Sequence, residues 1–139
     1  MRLDDFVSIT ELKKIANAKG DIYRALKSSE DSYYGFGEGY FTNIHSGDIK
    51  GWKKHNQMVL NLIVPVGLVR FHVHSEQTNE TKHYDIGLDA YSRLTIQPGV
   101  WVAFEGLSKE TSLILNIASI EHDPEESENR PLDSISVKG

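Results

Sequence analysis

Residues 49–67 read IKGWKKHNQMVLNLIVPVG, a cluster of polar side chains that runs directly into an apolar segment ending at a glycine. Side chains of an extended strand alternate between its two faces. One predicted face therefore carries Lys53, His55, Gln57 and Asn61, and the other carries Met58, Leu60, Leu62 and Val64. A buried strand that lines one face with donors and an imidazole is typical of a β-sandwich or barrel with a pocket for a polar ligand. The alternative is an edge strand whose polar face meets water.

The composition of the whole chain is that of one globular domain. The sequence has 139 residues, 39% of them hydrophobic, which is enough to bury a core without disulfides or metals. It contains no cysteine, which is compatible with a reducing compartment. No apolar stretch approaches the roughly 20 residues that cross a bilayer, and the first residues do not resemble a signal peptide. We therefore expect a soluble cytoplasmic protein that does not contact a membrane.

The charge pattern bears on the kind of ligand. A net charge of -5 argues against general binding to nucleic acid. Within this acidic chain, Lys50, Lys53 and Lys54 form a local basic cluster that can hold a small anion. A phosphate-bearing metabolite suits this pattern better than DNA.

Short apolar or alternating segments separated by turn residues recur along the chain and predict a predominantly β protein. The candidate strands are residues 22–27, 40–44, 54–64, 68–74, 82–88, 93–97, 100–105 and 111–119. Only residues 9–18 have helical periodicity. We predict a single domain over residues 1–139, with a core of about residues 9–122. Residues 123–139 contain little apolar surface and are predicted to form a tail that runs over the surface.

Four short segments, taken in order, carry a family resemblance: Lys19-Gly20-Asp21-Ile22, Gly39-Tyr40-Phe41, Ile49-Lys50-Gly51-Trp52 and Ile96-Gln97-Pro98-Gly99-Val100. They resemble four segments of the dTDP-4-dehydrorhamnose 3,5-epimerase family. In chain order, these family segments are an early Arg-Gly-Phe-Phe, the entry to a second strand, the Leu-Arg-Gly-Leu before the catalytic histidine and an Ile-Pro-Pro-Gly-Phe turn. The resemblance covers about residues 9–133. It implies an all-β double-stranded β-helix of the RmlC-like cupin type, acting on 4-keto-6-deoxy sugar nucleotides.

The sequence departs from the family at the residues that do the chemistry. The family's general-base histidine falls on Lys53, and its second histidine falls on Val102. Its tyrosine acid falls near Asn116, and no tyrosine follows Tyr91. The related 3,4-ketoisomerases carry Gly-His-x-His on the same strand, of which this chain keeps only the second histidine, His55. The chain thus resembles the superfamily better than any one of its activities.

His55 and Lys53 are the predicted catalytic residues. The ordinary pKa of an imidazole already suits proton transfer near neutrality, although His55 could instead be a structural histidine bonded to Asn43 or Gln57. Lys53 is a base only if its pKa is lowered, and otherwise it is a protonated anchor for an anion. The predicted substrate-binding residues are Lys19, Tyr40, Lys50, Gln57, Asn61 and Asn116; of these, Lys19 and Lys50 stand where the family places phosphate-binding arginines.

We expect neither a metal nor another cofactor. His72 and His74 lie on one face of a predicted strand, a spacing that chelates zinc only if a third ligand converges. The His-x-His and later histidine of metal-binding cupins are both missing from their places. The two histidines are explained equally well if this face of the strand meets solvent or forms an interface.

Two functions agree with this sequence. The first is an epimerase or isomerase acting on a nucleotide-linked, dTDP-type 4-keto-6-deoxy sugar for cell-surface polysaccharide such as O-antigen. The alternative is a non-catalytic module that binds a sugar nucleotide as a sensor or as the partner of a transferase. In either case we expect a homodimer, because Met58, Leu60, Leu62 and Val64 on one strand face give more apolar surface than a lone pair of sheets readily covers. We also expect the N-terminal segments to be exchanged in this dimer, because an exposed sheet edge needs covering.

Overall fold

The computed structural model describes residues 2–137, which form β-strands joined by turns and short 3₁₀ segments. The strands are β1 (Val7–Glu11), β2 (Lys14–Ile15), β3 (Ile22–Tyr23), β4 (Glu38–Ile44), β5 (Ile49–His55), β6 (Leu60–Val66), β7 (Leu68–Ser75), β8 (Glu80–Gly87), β9 (Ser92–Ile96), β10 (Trp101–Gly106), β11 (Ser112–Ala118) and β12 (Ser127–Asn129). The 3₁₀ segments are Leu3–Asp5, Leu88–Ala90, Pro124–Glu126 and Leu132–Ser134. The described part of the chain contains no α-helix and, in particular, no helix able to cross a membrane.

Two five-stranded antiparallel sheets face each other. The first has the strand order β1-β9-β6-β11-β4 and the second has the order β12-β5-β10-β7-β8. Strands β2 and β3 form a separate two-stranded ribbon. The two sheets pack face to face, so the apolar residues of both inner faces meet in one core, which includes Leu62, Phe71, Leu94 and Ile114. The predicted all-β double-stranded β-helix is confirmed.

Three segments differ from the prediction. The strand predicted over residues 22–27 is limited to β3, and residues 24–27 lie in a loop. The apparent helix over residues 9–18 is instead β1 and β2, joined by a short loop. The single strand predicted over residues 54–64 is two strands, β5 and β6, which lie in different sheets and are joined by a turn at residues 56–59. The hydrophobic pattern of so short a stretch does not reveal a turn, and the two strands were therefore predicted as one.

Part of the outer face of the first sheet, around β9, is covered by a segment that lies far away in sequence. All residues of β9 are buried, and the Arg93 side chain is completely so. Its guanidinium donates to Ala25 O at 2.6 Å, to Ser32 Oγ at 2.6 Å and to Glu30 Oε2 at 2.8 Å. The Arg93 Nε group also donates to Asn61 Oδ1 at 3.2 Å. This network fixes the loop containing residues 24–32 on the sheet.

Residues near both ends of the described range pack against the barrel. Leu3 is fully buried and Val7 nearly so, which extends the core beyond its predicted start at residue 9. The predicted surface tail is also different: β12 pairs with β5, and Ile135 packs against Trp52 and Trp101. The two tryptophans provide an apolar surface for a segment that has few apolar residues of its own.

Candidate active site

A cavity of about 320 Å³ opens between the sheets and is lined by residues of β4, β5, β6, β10 and β11. Residues 122–137, which we call the C-terminal segment, also contribute to its lining. This volume is at the lower end of the roughly 300–1,000 Å³ that is usual for small-molecule sites. Its polar residues are Tyr40, Thr42, Lys50, Lys53, His55, Asn116, His122 and Asn129, and its apolar side includes Leu60, Leu62, Val102, Phe104 and Ile114. None of these lining residues is acidic. The cavity is therefore cationic within an acidic chain, which favours an anionic ligand.

His55 stands at the end of β5, where its imidazole is held by a buried carboxylate. Its Nδ1 atom is hydrogen-bonded to Oε1 of Glu126, a side chain that is only 2% exposed. An ionised carboxylate can only accept, so Nδ1 carries the hydrogen and Nε2 keeps its lone pair. His55 is thus prepared to take a proton on Nε2.

The same carboxylate fixes the turn after His55. Glu126 Oε2 accepts backbone N–H groups of Asn56, Gln57 and Met58 at 3.1–3.2 Å. Burial raises the pKa of Glu126, but the hydrogen bonds from His55 and from the Gln57 and Met58 amides outweigh it, so the pKa lies below its ordinary value. Glu126 therefore remains ionised at neutral pH and orients both the imidazole and the turn.

The two cavity lysines have different surroundings. Lys50 Nζ donates to Asn43 O at 2.6 Å at the end of β4. The Lys53 ammonium makes no hydrogen bond or ion pair with any other residue in the range 2–137. Lys54, on the opposite face of β5, lies 3.3 Å from Glu128 Oε2 and 3.8 Å from Glu76 Oε1. Lys53 is the cavity cation that is left for a ligand.

A phenol and an amide face each other across β4 and β11. Tyr40 and Asn116 are partners in the strand register, and Asn116 Nδ2 donates to Tyr40 Oη at 2.9 Å. Asn116 Oδ1 accepts the backbone N–H of Asn61 at 3.1 Å. Because the phenol oxygen accepts the amide hydrogen, the Tyr40 hydroxyl hydrogen is free to bond a ligand in the cavity.

The structure brings Lys53, His55, Lys50, Tyr40 and Asn116 to this one cavity. The other predicted site residues lie elsewhere. Gln57 is exposed in the turn, and Lys19 is exposed in the ribbon connection, where its backbone N–H donates to Asn17 Oδ1.

Asn61 is buried on the outer side of the first sheet, where its Oδ1 accepts from Thr95 and Arg93. The predicted shared face of Lys53, His55, Gln57 and Asn61 is wrong because the turn at residues 56–59 changes the phase of the alternation. Leu60 and Leu62, which were predicted to face away from His55, line the cavity with it.

Sequence reasoning missed several residues of the site, Glu126 above all. It stands in an acidic stretch, Glu125-Glu126-Ser127-Glu128, in which nothing local distinguishes the buried carboxylate. His122 and Asn129, which also line the cavity, belong to the same C-terminal segment. The one sequence signal in this region is the stretch His122-Asp123-Pro124-Glu125, which resembles a C-terminal landmark of the dTDP-4-dehydrorhamnose 3,5-epimerase family.

The His72-x-His74 pair lies outside the cavity. His72 is buried and bonds Glu105 Oε1 through Nε2 at 2.8 Å, whereas His74 bonds Thr81 Oγ1 at 2.7 Å. Within residues 2–137 no group of three or more histidine and carboxylate side chains is arranged to hold a metal ion.

No protein-family model matches the sequence, and no curated protein matches it significantly. Solved structures match over most of the chain. A dTDP sugar isomerase from Desulfovibrio desulfuricans G20 has 28% identity and a TM-score of 0.88, with 92% of this chain and 85% of that chain covered. The chain has the RmlC-like cupin fold.

Two further structures with this RmlC-like fold are much less similar in sequence. The 3,4-ketoisomerase QdtA from Thermoanaerobacterium thermosaccharolyticum, solved with TDP, has 20% identity and a TM-score of 0.75, covering 91% of this chain and 89% of its own. NovW, a 4-keto-6-deoxy sugar epimerase from Streptomyces spheroides, has 12% identity and a TM-score of 0.83, covering 96% and 73%. The RmlC-like barrel thus persists while the sequence diverges.

Glu126→Gln is expected to lower the free energy of unfolding at neutral pH by roughly 2 kcal/mol, since hydrogen bonds to a charged group are lost. The pKa of Glu126 is depressed below its ordinary value of 4.5, so its stabilisation is complete above that value and is lost as the pH falls through the lower folded pKa. Urea denaturation between pH 3 and pH 7 should show the difference from wild type narrowing in acid. Glu125→Gln, at an exposed neighbour, is the control, and a difference that is independent of pH would contradict this role.

Proposed function

We propose that this protein is an epimerase or isomerase that acts on a dTDP-linked 4-keto-6-deoxy sugar. The observation that carries the proposal is a buried His55–Glu126 pair that opens into a cation-lined cavity. Its structural neighbours include a dTDP sugar isomerase, a ketoisomerase and epimerases, which supports the same class of substrate. The product would serve cell-surface polysaccharide synthesis, such as that of O-antigen. We assign the reaction to the cytoplasm, with which the absence of cysteine is compatible.

The chemistry is proton transfer at a carbon next to the keto group. His55 Nε2 removes the proton, the C–H electron pair becomes the new C=C bond, and the carbonyl oxygen gains the negative charge of an enolate. The cationic lining of the cavity stabilises that oxygen. Return of the proton to the opposite face of the same carbon gives an epimer. For the isomeric ketone, a proton is added to the former carbonyl carbon, while the hydroxyl on the neighbouring carbon loses its proton and becomes the new carbonyl. Tyr40 is the second group placed to deliver a proton.

The diphosphate of the ligand needs cations at the cavity. Lys50 and Lys53 supply them from β5, as point charges rather than as the bidentate fork of an arginine. The phosphate role predicted for Lys19 remains a prediction. Lys19 lies outside the cavity of its own chain, so this role requires the cavity of a second copy.

The alternative, a non-catalytic module that binds a sugar nucleotide, would use the same cavity without turnover. Solvent-deuterium exchange into a panel of dTDP-linked 4-keto-6-deoxy sugars tests the two functions against each other. We expect wild type to incorporate deuterium next to the keto group in at least one substrate, because exchange reports proton removal even where net conversion is unfavourable. Binding without exchange in any substrate would overturn the enzyme and leave the module.

Lys53→Ala is expected to weaken binding of dTDP by roughly tenfold at low salt, and the loss should shrink as salt rises because charge pairing is screened. Isothermal titration in the presence of a chelator measures this and tests metal-free binding at the same time. Lys54→Ala is the matched control, since it removes the same charge from the adjacent residue on the opposite face of the strand. Unchanged affinity together with loss of deuterium exchange would make Lys53 the base.

A homodimer is proposed on residues other than those that first predicted it. Met58, Leu60, Leu62 and Val64 are core residues and cannot drive association. The outer face of the first sheet instead exposes an apolar stripe at β4, β11 and β6 that consists of Phe41 (65% exposed), Val66 (44% exposed) and the half-buried Leu113, Leu115 and Ile117. A self-complementary apolar stripe suits a second copy of the chain across a two-fold axis.

We expect light scattering at micromolar concentration to give the mass of a dimer, and Phe41→Glu to give the monomer. Within one chain, β1 pairs with β9. In a dimer with exchanged N-terminal segments, β1 of the second copy would take this place beside β9. A monomeric wild type would contradict the dimer.

A further inference from the structure

The carboxylate that orients the proposed base is not part of the barrel framework. Glu126 lies on the C-terminal segment, which joins the second sheet through β12, a strand of three residues at the sheet edge. So short an edge strand has few backbone hydrogen bonds, and its pairing alone gives little resistance to fraying. The alignment of Glu126 with His55 therefore depends on what holds the segment further along.

Arg130, the first residue after β12, contributes to this attachment, beside the packing of Ile135 on Trp52 and Trp101. Its backbone exchanges two hydrogen bonds with Trp52, at 3.0 and 3.1 Å. Its guanidinium donates to Glu76 Oε2 at 2.8 Å and lies 4.5 Å from the centre of the Trp101 ring. Trp101 Nε1 in turn donates to Glu76 Oε1 at 2.6 Å. We call Arg130, Glu76 and Trp101 the C-terminal clamp.

The clamp and the cavity lie on opposite faces of the second sheet. None of the three clamp residues lines the cavity. Hydrogen bonds from Trp101 and then from Arg130 hold the pKa of Glu76 below its ordinary value, so the clamp stays charged at neutral pH. The Arg130 side chain is 40% exposed, so it can be replaced without opening a cavity in the core.

We propose that the C-terminal clamp positions the catalytic base, with Arg130 holding the C-terminal segment so that Glu126 stays bonded to His55. The inference rests on the proposed function, in which His55 removes the proton. It makes turnover depend on a residue at the outer surface that touches no substrate. Ligand binding depends on it less, because the cavity lysines are on β5 and the C-terminal segment contributes only His122 and Asn129 to the lining.

Arg130→Ala tests this with two readouts. The first is deuterium exchange, in which we expect kcat to fall roughly tenfold to a hundredfold while KM changes by less than about threefold, since small displacements of a reacting group are costly. The second is the downfield proton resonance of the hydrogen-bonded His55 Nδ1–H, assigned by its loss in His55→Asn. This resonance should disappear or broaden in Arg130→Ala.

The matched control is Arg70→Ala, which removes an arginine that forms an ion pair with Asp85 on the same outer face, away from the C-terminal segment. It should preserve kcat and the resonance. Arg130→Lys keeps a cation for Glu76 and Trp101 and should restore much of both. Glu76→Gln, which keeps a partner for Trp101 but loses the charge, should fall between Arg130→Ala and wild type.

An Arg130→Ala protein that is folded by circular dichroism and keeps the resonance and the kcat of Arg70→Ala would overturn the clamp. Equal losses in the two arginine variants would also overturn it, because they would show a general effect of surface charge. If wild type exchanges no deuterium, the proposed function fails, but the resonance in the two variants still decides whether the clamp aligns the pair.

Discussion

Replacement of His55 by asparagine is expected to abolish deuterium exchange and to leave dTDP affinity within about threefold of wild type. The loss should be on the order of 10²–10⁴-fold, the usual contribution of a general base. The physical reason is that the Glu126 carboxylate directs the Nε2 lone pair of His55 towards the cavity, while the cationic charge for the diphosphate comes from Lys50 and Lys53. Mass spectrometry of the recovered sugar nucleotide measures the exchange, and calorimetry measures the affinity.

His45→Asn is the control for this variant, because His45 is exposed, bonds Thr111 and lies outside the cavity. It should exchange at the wild-type rate. Retention of exchange in His55→Asn would remove His55 as the base and direct attention to Lys53 or Tyr40. Loss of both exchange and affinity would mean that His55 holds the ligand rather than moving its proton.

Replacement of Arg93 by methionine is expected to cost about 3–5 kcal/mol, because a fully buried guanidinium loses its pairing with the partly exposed Glu30 and its hydrogen bonds to Ala25 and Ser32. The variant leaves Glu30 uncompensated and leaves the buried Asn61 without one of its donors. A loss of this size lowers the melting temperature of a chain of this length by roughly 10–20 °C. Urea unfolding and calorimetry give both quantities, and limited proteolysis should show cleavage in the loop of residues 24–32.

Arg70→Met is the comparison, since Arg70 makes an equally close ion pair with Asp85 at the surface. Surface pairs of this kind contribute about 0–1 kcal/mol, so little change is expected. Addition of Glu30→Gln to Arg93→Met should recover part of the lost stability by removing the uncompensated charge. Equal effects of the two arginine variants would show that burial of Arg93 does not matter.

The local pattern of the sequence predicted most of the strands and one wall of the cavity. Alternation is dictated by the backbone of a single extended strand, so Lys53 and His55 could be assigned to one face of β5. The order of the short motifs predicted the double-stranded β-helix and a site at β4, β5 and β11. Tyr40 and Asn116 follow from that order, and the structure brings both to the cavity.

Alternation does not continue through a turn, and this is where the sequence prediction failed. The change of sheet at residues 56–59 moves Asn61 out of the site and Leu60 into it. The turn has no glycine or proline to reveal it. It is stabilised by three backbone N–H groups donating to Glu126, a residue about seventy positions further along the chain.

The sequence by itself determined the β-rich fold, the cationic strand and the identity of the imidazole beside Lys53, because each depends on neighbours in the chain. Only the tertiary structure decided which of several acidic residues meets His55, and that the acidic C-terminal segment docks instead of running free. It also decided that Arg93 is buried in the first sheet. A charged side chain can be buried only where other groups form hydrogen bonds or ion pairs with it. Here those groups come from distant segments that are brought together only by folding.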